Sequence, residues 1–237
     1  MDPVKELAKM IDHSLLPPVL TDQDLIDGCK LAIEYDVASV CIKPYAVKLA
    51  AEQLVGSDVL VGTVIGFPQG NSSIDVKVYE TVQACKDGAV EIDMVVNIGK
   101  VLSEDWDYLT KEIGAVLNAC HDHNAILKVI FENDYLPEDK YKIKLCEICS
   151  GLNVEYVKTS SGFGFKKVAS GGYGYDGATE YDVKLMRQHV APHVKVKAAG
   201  GIRTLDKALL MKSLGVSRIG ASATKTILED AKKHFSS

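Results

Sequence analysis

The sequence predicts a single-domain (β/α)8 TIM barrel, an α/β fold, and three observations carry that prediction. Short Val- and Ile-rich runs alternate with longer stretches of helical period, the rhythm of repeated strand–helix units around a parallel sheet. Eight such runs can be marked, a number that closes a barrel. No linker-like break divides residues 1–237, and no Gly-x-Gly-x-x-Gly follows the first run, which disfavours two domains and an open doubly wound sheet.

In chain order the strands are predicted at 9–13, 38–42, 59–66 and 91–97, then at 126–131, 155–159, 194–199 and 217–221. Helices fill the intervals. Several open at a residue whose side chain can accept from the free N–H groups of the first turn: Thr21, Ser73, Ser103 and Thr204. Cys146 and Cys149 fall in a stretch of helical apolar spacing with no second Cys or His pair to complete a metal site, so they read as buried helix residues. After the sixth strand comes 162–177, a Gly-rich insertion that is too rich in glycine for a helix or strand and long for a strand-to-helix connection. It reads as a mobile loop at the catalytic mouth. Its place at the C-terminal ends of the strands favours a lid that adds substrate contacts over a tolerated surface insertion.

Composition narrows the function. Apolar residues at 47% and charged residues at 25% describe an ordinary globular chain with ample core. A net charge of -5 with no long basic run argues against a nucleic-acid partner, so an anionic substrate would need a local pocket. The N-terminus lacks a basic segment leading into an apolar one, and no apolar run approaches the ~20 residues of a membrane span. A cytoplasmic protein with no membrane partner is expected. Six scattered cysteines fit free thiols in a reducing compartment.

The chemistry is sought where polar groups interrupt apolar strands, because an ionisable side chain inside a barrel is costly unless something pairs with it. Asp12, Glu91, Asp93, Lys128, Lys158 and Lys197 meet that condition, with Lys43 and Glu132 just past strand ends. Alternation puts Glu91 and Asp93 on one face, and likewise Lys195 and Lys197. Lysines and a carboxylate converging on a small pocket suggest amine chemistry. A dehydrated lysine beside another cation has a lowered pKa, and only the neutral amine attacks a carbonyl. Lys158 and Lys197, on neighbouring strands, supply that arrangement, and Asp93 could move protons. Buried ion pairs that merely hold the barrel are the alternative. The glycines of Ala199-Gly200-Gly201 and Gly220-Ala221-Ser222 stand where barrels commonly bind phosphate, the second beside a helix N-terminus.

These residues resemble those of the deoxyribose-phosphate aldolase family of class I, Schiff-base aldolases, and the match runs over nearly the whole chain. It is carried by Ile11-Asp12-His13-Ser14-Leu15-Leu16, Ser39-Val40-Cys41-Ile42, Gly62-Thr63-Val64-Ile65-Gly66-Phe67-Pro68 and Glu91-Ile92-Asp93-Met94-Val95. Further on it is carried by Leu127-Lys128-Val129-Ile130, Tyr156-Val157-Lys158-Thr159-Ser160-Ser161-Gly162-Phe163 and Val196-Lys197-Ala198-Ala199-Gly200-Gly201-Ile202-Arg203. The resemblance implies Lys158 as the Schiff-base lysine, Lys197 as the cation that tunes it, and Asp93 as the acid/base. Lys128 joins the same network. Asp12, Ser14, Cys41 and Phe67 would line the pocket, and Ser161, Gly162, Gly200, Gly201, Gly220 and Ser222 would lie at or near the substrate and its phosphate. The implied reaction is reversible cleavage of 2-deoxy-D-ribose 5-phosphate to D-glyceraldehyde 3-phosphate and acetaldehyde, with no metal or organic cofactor, in a chain that could form a homodimer.

Three features depart from the family pattern: the insertion after the lysine motif, Ala223 where many members carry a second serine, and a C-terminus, Lys233-His234-Phe235-Ser236-Ser237, without the tyrosine some relatives use in proton transfer. Other readings remain. A Schiff-base aldolase for a different, unphosphorylated or larger acceptor would use the insertion for specificity. A non-catalytic barrel binding sugar phosphates would not need the Lys158, Lys197 and Asp93 set. A metal-dependent aldolase would need a His or carboxylate cluster at strand ends, where only His13 stands; His121 and His123 are expected in a solvated turn at the opposite face.

Overall fold

Strand register decides what this barrel encloses. In the computed structural model, which describes residues 2–168 and 170–236, eight parallel strands close on themselves. They are β1 (Ile11–Leu15), β2 (Ser39–Ile42), β3 (Leu60–Ile65), β4 (Glu91–Val95), β5 (Ile126–Ile130), β6 (Tyr156–Lys158), β9 (Lys195–Ala199) and β10 (Arg218–Ala221), with β10 pairing to β1. β7 (Lys166–Lys167) and β8 (Tyr173–Gly174) form a separate antiparallel pair. The helices are α1 (Pro3–Ala8), α2 (Asp22–Glu34), α3 (Val47–Gln53), α4 (Ile74–Lys86), α5 (Ile98–Leu102), α6 (Trp106–His121), α7 (Asp139–Gly151), α8 (Glu180–His189), α9 (Leu205–Ser213) and α10 (Thr224–Phe235). None is long and apolar enough to cross a membrane among the described residues.

Each barrel strand turns its apolar residues outward. Ile11, Val40, Ile42, Val61, Ile65, Ile92, Met94, Leu127, Val129, Val157, Val196 and Ile219 are buried in one cluster with the apolar faces of the helices. Hydrophobic stabilisation therefore sits between sheet and helices, at about 1.5–3 kcal/mol for each large aliphatic side chain fully buried. Helix starts add to it. Thr21 makes a full capping box with Asp24, and Thr204 accepts from Lys207 N–H.

Four expectations change. β1 begins at Ile11 rather than residue 9, because Lys9 is taken up as the C-cap of α1 and pairs with Asp36. Ser73 stands at its N-cap but makes no side-chain cap bond. Ser103 is not an N-cap: it ends α5, the chain reverses through Glu104 at φ 54, and Asp105 caps α6 by accepting from Tyr108 N–H. The Gly-rich insertion is not structureless, since Lys166–Lys167 and Tyr173–Gly174 pair as a short hairpin whose turn is closed by Val168 and the positive φ of Gly171; Ala169 lies outside the described residues. Cys146 and Cys149 are free and buried in α7. His121 ends α6 against Glu155 at the opening of β6, the end of the barrel away from the strand C-termini.

Candidate active site

The hydrogen-bonding ladder places a ring of polar residues at matching heights. Asp12 pairs with Ser39 and Gly220, Asp93 with Lys128, Lys158 with Lys197, and Lys197 with Arg218. Alternate residues of a strand share a face, so all of these point to the barrel axis while their neighbours face the helices. Gly220 leaves the room that this convergence needs. A Cβ there would stand 2.9 Å from Ala199 Cβ and 3.5 Å from Lys197 Cε.

The converging groups form a continuous ionic network. Asp93 Oδ2 accepts from Lys158 Nζ at 2.6 Å and from Lys197 Nζ at 2.7 Å. Lys197 also reaches Asp12, which accepts from Ser39 Oγ at 2.8 Å and pairs with Arg218. Lys128 Nζ lies 2.7 Å from Glu91, 3.0 Å from Asp93 Oδ1 and 3.3 Å from Asp12, and Arg218 closes the network onto Glu91. The Lys128–Asp93 approach is an ion pair without hydrogen-bond geometry, so Asp93 Oδ1 keeps a free lone pair. Three carboxylates (Asp12, Glu91, Asp93) face three cations (Lys128, Lys197, Arg218), all buried, and Lys158 is the remaining ionisable group.

The environment separates the lysines. Burial pushes the Lys158 amine below its ordinary pKa, Asp93 opposes, and Lys197 adds to the downward push. Burial acts the same way on Lys128 and Lys197, but there Asp12 and Asp93, joined by Glu91 at Lys128, outweigh it and hold both above the usual range. Burial would raise Asp12 and Asp93, yet the surrounding cations keep both carboxyls below the ordinary carboxylate value. The network therefore combines one amine biased to neutrality with ammonium and carboxylate groups held charged.

Above it opens a cavity of about 400 Å3. Lys158 lies on its floor, and Ser14, Ser161, Gly162, Gly200, Gly201, Gly220 and Ser222 are on its walls. Asp12, Asp93, Lys128 and Lys197 sit beneath the floor and are not in its lining. Cys41 and Phe67 stand to one side with Leu16, Val64 and Phe163, Phe67 packed edge-on to Phe163 at 5.5 Å. Burial raises the Cys41 thiol, so it is an apolar neighbour here and not a thiolate. Ala223 precedes α10 without a side-chain cap bond, and α10 then runs about 18 Å away from the cavity, carrying His234 and Phe235 with it; Ser237 lies outside the described residues. His13 is buried against Thr224 Oγ1 at 2.8 Å and held neutral by burial. Among the described residues no group of three or more His, Cys, Asp or Glu side chains is arranged to hold a metal ion.

Several residues were not reached from the sequence. Arg218 is the clearest, for it alternates with Gly220 inside a strand that was marked, so the period-2 rule applied to it as much as to Lys197. Arg203, Phe165 and Tyr175 line the cavity; the last two come from the insertion, whose place at the strand ends led to the expectation of substrate contacts although no single residue of it stands out in the sequence. Glu132, by contrast, is one of the candidates the sequence marks just past a strand end; it is fully buried at φ 57, accepts from Ser161 N–H at 3.1 Å, and is pushed up by burial.

Comparison with known proteins follows the same lines. The family model described as DeoC/LacD family aldolase matches residues 6–228. A deoxyribose-phosphate aldolase of Rhodopirellula baltica is 51% identical over 230 residues, covering 97% of this chain and 91% of that protein. Among solved structures, one described as "QR15, an Aldolase" superposes with a TM-score of 0.87 at 34% identity and 97% coverage of both chains. A deoxyribose phosphate aldolase from Aeropyrum pernix, described as having a unique tetrameric structure, gives 0.87 at 26% identity, covering 99% of this chain and 94% of that one.

Proposed function

Since the chain belongs to the DeoC/LacD family of aldolases, we propose that it reversibly cleaves 2-deoxy-D-ribose 5-phosphate to D-glyceraldehyde 3-phosphate and acetaldehyde through a Schiff base on Lys158. One observation carries the assignment of the nucleophile. Of the three lysines in the buried network, Lys158 alone is pushed toward the neutral amine, and it alone opens onto the cavity.

The groups suit each step. The Lys158 amine attacks the sugar's C1 aldehyde, and loss of water leaves an iminium. Removal of the C3 hydroxyl proton then breaks the C2–C3 bond, releasing glyceraldehyde 3-phosphate and leaving an enamine. Protonation at C2 and hydrolysis free acetaldehyde and regenerate the amine. Asp93, beneath the cavity floor and 2.6 Å from Lys158 Nζ with a free lone pair on its second oxygen, exchanges protons with that nitrogen and reaches the substrate through water. Lys197 keeps Asp93 ionised and disfavours the protonated form of Lys158. Gly200, Gly201, Gly220 and Ser222, at the start of α10, supply backbone N–H groups and a hydroxyl for the phosphate.

Borohydride reduction in the presence of deoxyribose 5-phosphate, followed by intact-mass analysis under EDTA, tests this. The wild type should gain a sugar- or acetaldehyde-derived adduct and Lys158→Ala none. Absence of an adduct in the wild type with either the sugar or acetaldehyde overturns the mechanism. The aromatic side chains that the insertion adds to the cavity favour one second reading, a different or unphosphorylated acceptor aldehyde. An adduct with acetaldehyde but not with deoxyribose 5-phosphate would select it. We further read the protein as a cytoplasmic homodimer. Its six free thiols suit a reducing compartment, and sedimentation would tell a dimer from a tetramer like that named for the A. pernix enzyme.

A further inference from the structure

The turn that follows β5 grips the insertion at both ends. On the outgoing side Tyr135 Oη donates to the Phe165 carbonyl at 3.0 Å. On the returning side the Asp134 carboxylate accepts from the backbone N–H groups of Asp176 at 2.6 Å and Gly177 at 3.0 Å. Lys166 Nζ, from the hairpin, stands 3.6 Å from Asp134 and 2.9 Å from Asp176. The Asp134 side chain is only 1% exposed, so water cannot easily replace either backbone donor.

What Asp134 holds is in direct contact with the cavity wall. Gly177 has φ +66, and a Cβ there would fall 2.6 Å from the Gly200 carbonyl oxygen. That same carbonyl accepts from Ala178 N–H at 3.1 Å. Gly200, at φ +91, would in turn bring a Cβ to 3.0 Å from Gly177 Cα. Backbone thus rests on backbone, with no side chain between to absorb a shift, and Gly200 opens the Gly200–Gly201 turn.

We propose that Asp134 is a positioning residue that presses Asp176–Gly177 against Gly200 and so sets the Gly200–Gly201 backbone to receive the substrate's phosphate, without touching the substrate. This rests on the reading of that turn as the phosphate end of the cavity. The insertion then acts on affinity for the phosphate and leaves the amine chemistry at Lys158 alone.

Asp134→Asn keeps the shape but replaces one accepting oxygen with an NH2 group, so only one of the two backbone bonds survives. Steady-state kinetics should show kcat/KM for 2-deoxyribose 5-phosphate falling roughly tenfold through KM, with kcat within about twofold and kcat/KM for unphosphorylated 2-deoxyribose unchanged. Inorganic phosphate, as a competitive inhibitor, should weaken by the same factor. Equal losses on both sugars, or a loss in kcat with KM unchanged, would show a merely structural role and overturn the proposal, as would unaltered kinetics. Asp134→Glu, which keeps the charge but displaces it by a methylene, gives the same readout should the Asn variant fail to fold. A wild type that does not distinguish the two sugars would remove the phosphate reading itself; one that does, with an Asp134 variant that distinguishes them equally well, would remove only the role of Asp134.

Discussion

Asp93 Oδ2 is shared by two lysines whose pKa values are pushed in opposite directions, and the consequences can be measured at the level of single side chains. Burial, with Lys197 adding to it, lowers the Lys158 pKa, and on the proposed mechanism the amine reacts when neutral, so the rate should rise as pH climbs through the Lys158 value. Lys197→Met removes that push and raises the Lys158 pKa. The acid limb of kcat/KM should move to higher pH, and the rate at neutral pH should fall by roughly 10²-fold or more, since Asp93 also loses a partner that holds it ionised. A pH–rate profile of the variant checks both. Asp12 bears on stability. Its folded pKa is depressed, so its contribution is fully present above the unfolded value and is lost as pH falls through the lower folded one. Asp12→Asn leaves Lys197 and Arg218 short of a partner and should cost about 3–5 kcal/mol at pH 7. Its Tm should approach that of the wild type on acidification below about pH 4. Calorimetry from pH 3 to 7 follows the gap, and a constant gap would contradict the sign.

At the scale of elements, local chemistry was legible wherever it was decided locally. Alternation and Val/Ile content found all eight barrel strands to within about two residues at each end. Thr21 was recognisable because Asp24 stands three residues on, the pattern that lets each side chain satisfy the other's backbone N–H. Thr21→Ala should therefore cost about 1 kcal/mol and lower Tm by roughly 2–4 °C with kcat/KM unchanged, since α2 lies on the outer layer; differential scanning calorimetry beside a routine assay decides it. Ser103 misled because the left-handed turn at Glu104 moves the helix start by two residues, and Asp105 serves as a cap equally well. The hairpin of the insertion was invisible because two-residue strands have no period to read. Its anchoring by Asp134 and Tyr135 is a long-range fact that no local pattern encodes.

At the scale of the molecule, the barrel places its apolar packing outside the sheet and its charges inside. Six of the ionisable network residues stood out in the sequence as interruptions of apolar strands: Asp12, Glu91, Asp93, Lys128, Lys158 and Lys197. Which partners they find could not be read there. Asp12 meets Arg218 across 206 positions because the last strand closes on the first, a fact of topology and not of spacing. Closure also makes the interior electrically even, three anions against three cations, before Lys158 is counted. On the proposed mechanism, an iminium on Lys158 is then a surplus positive charge with no unmatched anion in the buried network beneath it. The strained party in the catalytic cycle is thus the covalent cation, which is relieved when electrons flow from the breaking C2–C3 bond to give an uncharged enamine. The same imbalance presses the acetaldehyde iminium toward hydrolysis, so on the proposed mechanism the barrel's neutrality works against an enzyme stalled as a covalent cation on its own product.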